Sequence, residues 1–127
     1  MDLPVKTVVV ARDQTVAYGQ LPKAAAHEQL SALVAGFRLG ITEPLPFFEK
    51  SSHAYGKSLH EGKEAPAALH SALAEWLPQQ REFSFPDSVD REIALCMRDR
   101  DPLHEPAFGL WAQRIWQVVR GYTEAVS

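Results

Sequence analysis

At 127 residues, 46% apolar and with three tryptophans, the chain has the length and hydrophobic content of one folded domain, which excludes disorder. Thirteen Lys and Arg stand against sixteen Asp and Glu, a net charge of −3, so no global field draws in nucleic acid and neither half is a basic arm. Cys96 is alone, which excludes an internal disulfide and a cysteine-based zinc site and fits a reducing compartment. The first residues show no basic-plus-apolar leader and no apolar run approaches membrane length, so a cytoplasmic location is expected.

The chain begins extended. Val5 to Ala11 and Thr15 to Tyr18 read as two short β-rich segments joined around Arg12-Asp13-Gln14, with Asp13 as turn former. A lone hairpin is marginal in water, so this one is expected either to be the edge of a sheet whose other strands lie outside these residues or to pack on the helices. No convincing strand follows. Residues 1–20 are therefore expected to form a β-hairpin and 22–127 a helical part of one domain, an α+β fold with about five helices.

The first helix opens near Pro22, with Leu30, Leu33, Val34, Phe37 and Ile41 at helical spacing as its buried stripe and Gly40 near its stop. Glu43 to Phe48 is an extended connector, because each of Pro44 and Pro46 disfavours helix in the residue before it. Ser51 or Ser52 caps a second helix in which Tyr55 and Leu59 share a face, and Gly62 ends it. Pro66 opens a third, striped by Leu69, Leu73, Trp76 and Leu77, and Pro78 to Glu82 is a loop. Asp87 or Ser88 then caps a helix with Val89, Ile93, Cys96 and Met97 inward. The last starts near Pro106 and buries Phe108, Trp111, Ile115, Val118 or Val119, and Tyr122. Trp116 lies off that stripe and is a candidate interface residue.

One stretch imitates an active site. Glu61-Gly62-Lys63 has the Glu-x-Lys form of nucleases in which two carboxylates hold Mg²⁺, and Pro86-Asp87 could supply the second acid. Yet Asp87 follows the pair by some 25 residues, the reverse of the usual order, and the pair lies in a polar interhelical loop rather than a strand, where alternation would put Glu and Lys on one face. The motif reads as chance loop residues. His53, His60 and His70 are spaced for no common metal motif, and Ser51, Ser52 and Cys96 lack a nucleophile elbow or a base partner. No phosphate-cradling glycine loop occurs. No catalytic residue, metal or cofactor is expected.

Read together, the hairpin, "EQLSALVAGFRLGITEPLPFFEKSSHAYGK" and "MRDRDPLHEPAFGLWAQRIWQVVRG" resemble the C-terminal region of the RecC subunit (gamma chain) of exodeoxyribonuclease V. The resemblance rests on Gly36, Arg38-Leu39-Gly40, Pro44-Leu45-Pro46-Phe47, Ser51-Ser52-x-Ala54-Tyr55, Arg98-x-x-Asp101-Pro102-Leu103, Ala112 and Arg114. It implies that the 127 residues are the tail of a longer chain and part of a PD-(D/E)xK nuclease-like domain that has lost its catalytic residues. It also implies a scaffold role in an ATP-dependent helicase-nuclease for double-strand-break repair and recombination, with the other subunits as partners and DNA met only through the full complex. A metal-dependent nuclease using Glu61, Lys63 and Asp87, and a free-standing helical adaptor, are the alternatives. The docking surface is expected at the hairpin edge (Val8), at Phe47 and Phe48, and at Trp116, with self-association where such apolar area lies open.

Overall fold

A computed structural model describes residues 6–78 and 85–125. Val5, at the start of the expected hairpin, and Gln79 to Glu82 of the expected loop lie outside the described residues. Strands β1 (Thr7–Val10) and β2 (Thr15–Tyr18) pair antiparallel with Val8 opposite Ala17, and the Ala11 amide donates to the Gln14 carbonyl at 2.8 Å across the turn. The hairpin is not alone. Strand β3 (Thr123–Ala125) pairs antiparallel with the other edge of β2, placing Thr123 opposite Tyr18, and the Gly19 amide donates to the Tyr122 carbonyl. The sequence reading found no strand after Leu21 because three residues are too few to show a period. Pairing, rather than pattern, makes them a strand.

Helix α1 (Lys23–Thr42) is about 30 Å long at the usual rise per residue. Pro22 precedes it in an extended conformation as the cap rather than serving as its first residue. The expected buried stripe is overturned: Leu30, Leu33, Val34, Phe37 and Ile41 are all exposed, and Gly36 is the buried residue of this helix. The reason is a close approach. A Cβ on Gly36 would stand 2.7 Å from Cζ3 of Trp111, so the helix rests against that indole by its thinnest face. Its large side chains point elsewhere.

The connector behaves as its prolines require. Pro46 and Phe48 are buried, and the Arg100 guanidinium spans from the Pro44 carbonyl to both carboxylate oxygens of Glu105. Helices α2 (Glu49–His60) and α3 (Ala65–Trp76) pack together through small residues. Ser51, Ser52 and Ser58 are buried on α2, Ala68 and Ala72 on α3, and Ser58 Oγ donates to Ser71 Oγ at 3.0 Å. On α3, Leu69, Leu73 and Trp76 reach the core as expected, whereas Leu77 is exposed.

After a 3₁₀ turn (Asp87–Val89) comes the short α4 (Arg91–Cys96), capped by Asp90, whose Oδ1 accepts from the Glu92 and Ile93 amides. Neither Asp87 nor Ser88 caps it. Met97 is buried and Ile93 packs on the core, but Val89, in the preceding 3₁₀ turn, and Cys96, at the end of a helix of six residues, are exposed. A second 3₁₀ turn (Pro102–His104) leads to one continuous run made of α5 (Pro106–Ala112), a π-helical segment (Gln113–Gln117) and α6 (Val118–Gly121). Counting that run once, the described helices number five. The wider π turn shifts the helical register, so only Phe108, Trp111 and Ala112 are buried, while Ile115, Val118, Val119 and Tyr122 are half-buried.

The core gathers Phe48, Tyr55, Met97, Leu103, Phe108 and the alanines of α3 and α5. Phe48 meets Trp76 at 4.8 Å between ring centroids, and Tyr55 stands edge-on to Phe108 at 5.4 Å, each pair contributing about 0.5–1.5 kcal/mol beyond its burial. None of the described helices is long and apolar enough to cross a membrane.

Candidate interaction surface

The two halves of the nuclease-like motif, Glu61-Gly62-Lys63 and Asp87, are far apart and each is employed structurally. Gly62 has φ +84°, and the Lys63 amide donates to the Ser58 carbonyl and the Gly62 amide to the Leu59 carbonyl, both at 3.0 Å. That bonding pattern ends α2 with a left-handed glycine, so Glu61-Gly62-Lys63 is an ordered helix stop. Glu61 lies between Lys57 and Lys63, at 3.9 and 3.4 Å.

Asp87 sits at the opposite end of the same helix. Its carboxylate accepts from the Lys50 amide at 3.2 Å, from the Ser51 amide at 2.7 Å and from Ser51 Oγ at 2.7 Å. Asp87 thus caps α2 from 36 residues away, while Ser52 Oγ accepts from the Phe48 amide at 2.8 Å. Sequence reasoning placed the capping within α2 itself. Ten residues of helix, about 15 Å, separate the Asp87 contacts from Glu61, and carboxylates sharing a metal must each lie within about 2.6 Å of it. Among the described residues no group of three or more His, Cys, Asp and Glu could hold a metal ion.

Of the expected interface residues, Val8 is about half exposed on β1 and Phe47 is half-buried. Phe48 does not fit a surface role: at 4% exposure it belongs to the core, since the connector turns its second aromatic inward against Trp76. Trp116 is half-buried, edge-on to His53 at 4.9 Å, and its Nε1 is buried without a hydrogen-bond partner.

An extended open apolar stripe lies where the sequence pattern predicted a buried face. Along α1, Leu30, Val34, Phe37 and Ile41 follow one another at intervals of four, three and four residues, and three of them are 62%, 72% and 69% exposed (Leu30, Phe37 and Ile41). With Leu33 they present on the order of 600 Å² of apolar side chain, at or above the largest patch of a typical monomer. A groove lined by Leu30, Val34 and Ala35, with His27, Ser31 and Arg38, runs along this stripe. A second apolar groove of about 350 Å³ lies beside it, between the sheet and the last helix, walled by Tyr18, Leu21, Leu33, Ile115, Val119 and Tyr122. The periodicity in the sequence found the stripe, and the neighbouring small residue, Gly36, was the signal that it faces outward.

Residues 5–60 match the family model described as the RecC C-terminal domain. Over these 56 of the 127 residues the chain is similar to RecC C-terminal domains. No curated protein and no solved structure matches the chain. The RecC match spans the hairpin, α1 with its open stripe, the connector and α2.

Within the matched residues, each element of the resemblance has a structural task. Gly36 admits the Trp111 ring, Pro46 is buried in the connector, and Ser51 and Ser52 organise the start of α2. Tyr55 packs on Phe108. Outside the matched residues, Pro102 and Leu103 are buried, Ala112 is in the core, and the Arg114 guanidinium lies 5.1 Å from the Trp111 ring centroid.

His53 is the titrating group with a functional consequence for stability. Burial lowers its pKa below the usual 6.5, helped by the charges of Arg120 and Lys57 and opposed by Glu75. The unfolded chain then takes up a proton near 6.5 that the folded chain accepts only at lower pH, so stability falls as pH drops through that window. Thermal unfolding followed between about pH 8 and pH 5 should show a steeper acid loss for the native chain than for His53→Gln. Equal slopes would mean that His53 titrates freely.

Proposed function

We propose that this RecC-type region is a non-catalytic docking domain of an exodeoxyribonuclease V complex, acting in the cytoplasm in double-strand-break repair and recombination. The 127 residues act as one unit, a degenerate nuclease-like module in which helix capping has replaced metal chemistry. The observation that carries this reading is the open stripe of α1, Leu30, Val34, Phe37 and Ile41, within the residues that match the RecC family model. Folded chains bury such a stripe against something, because apolar area of this extent gains about 25 cal/mol per Å² on leaving water. Other subunits of the complex are the partners, and ATP hydrolysis and strand cleavage belong to them. DNA is held by the assembly: a chain with net charge −3 has few bases with which to release counterions from phosphates.

The test is assembly with the other subunits of the complex. Phe37→Glu sets a charge in the middle of the stripe and should abolish co-purification with them, while Glu61→Ala should leave it intact. Circular dichroism of both variants should match the parent, since both positions are exposed. Undiminished assembly by Phe37→Glu would move the docking surface away from α1.

A further inference from the structure

The stripe on α1 has one edge that carries charge. Successive helical residues turn by about 100°, so Leu30, Val34, Phe37 and Ile41 form a seam with the 3.5-residue repeat of paired helices. Val34 and Ile41 fall at one kind of seam position, Leu30 and Phe37 at the other. Arg38 flanks Val34 and lines the groove with His27, Leu30 and Val34, while His27 and Lys23, seven residues before Val34 and Leu30, continue the seam itself toward the N-terminus. The acidic residue of α1, Glu28, is turned some 150° from the centre of the seam. The Arg38 guanidinium has no ion-pair partner among the described residues.

We infer that the seat on α1 takes an amphipathic helix of a partner that carries aliphatic side chains at heptad spacing and an acidic edge facing Arg38. This rests on the docking reading above and adds to it the shape and charge of the occupant. A second copy of this chain fits less well. Antiparallel pairing would set Leu30 against Ile41 and Val34 against Phe37, a fair apolar match, but it leaves Arg38 facing Ser31 and Arg38 of the other copy rather than a carboxylate. Opposed like charges select against that pairing, and an acidic edge selects for the other.

Two labelled peptides of about 20 residues with the same Leu and Ile seam test it, one with Glu and one with Lys at the flanking positions, titrated with the full chain by fluorescence anisotropy. The Glu-flanked peptide should bind roughly tenfold more tightly in low salt, with the margin shrinking at about 0.5 M salt as the charges are screened. Arg38→Glu should reverse the preference at unchanged helix content, and Ile41→Glu should abolish binding of both peptides. Equal affinity of the two peptides, or binding of neither, overturns the inference. So does a dimer in sedimentation that Phe37→Glu dissolves, because the seat then belongs to a second copy. Assembly with the other subunits that survives Arg38→Glu but fails with Phe37→Glu would keep the docking reading and reject the acidic edge.

Discussion

Trp111→Ala is expected to lower the stability of the fold by about 3–5 kcal/mol, the range for truncating a buried large aromatic. The indole is 7% exposed and occupies the place where α1 meets the rest of the chain, with Cζ3 facing Gly36 and the Arg114 guanidinium over its ring. Removing it leaves a cavity and takes away the surface on which a 20-residue helix rests. Gly36 cannot close the gap, having no side chain to move. Urea unfolding measures the loss, and the contrast with Phe37→Ala makes it specific. A Phe37 in the core would cost as much as Trp111, but at 72% exposure its replacement should change stability by no more than about 0.5 kcal/mol. A large effect of Phe37→Ala with little change for Trp111→Ala would show that α1 packs by its large side chains after all.

Asp87→Ala should be nearly as severe, at about 2–4 kcal/mol. Its carboxylate is buried and satisfies two amides of the first turn of α2 together with the Ser51 hydroxyl. Alanine leaves those donors buried without an acceptor, each costing about 1–3 kcal/mol less whatever water recovers, and removes a negative charge from a helix N-terminus. Asp87→Asn keeps one acceptor oxygen and should lose about half as much. Asp90→Ala, at an exposed cap of the short α4, should cost about 1 kcal/mol. Hydrogen exchange gives the local readout: protection of the Lys50 and Ser51 amides should collapse in Asp87→Ala before that of α3. Full protection at those amides would mean that Ser52 alone holds the start of α2.

Much of this was legible in the residues because the forces involved are local. Backbone restriction by Pro44 and Pro46 makes the connector, the tolerance of Gly62 for φ +84° ends α2, and two short β-rich segments around Asp13 make the hairpin, whatever surrounds them. The run from Pro106 through Phe108 and Trp111 likewise announced a buried helix. Glu61 and Asp87 were also separable from a nuclease site by their order and by the loop around Glu61. The positions of the resemblance in the first half of the chain lie within the residues that the RecC family model matches.

What tertiary structure decided is where each of those elements stands. A helical period states that one face is apolar, not that anything covers it, and on α1 the contact went to Gly36 because only a bare backbone can approach Trp111 so closely. Strand β3 exists because the chain returns to the open edge of β2, a pairing that leaves no trace in Thr123, Glu124 and Ala125 themselves. Asp87 caps a helix 36 residues earlier for the same reason: a carboxylate goes to whichever unsatisfied amides the fold brings within 3 Å of it. Local chemistry thus determined the elements and their ends, and contacts distant in sequence determined which apolar face was left open.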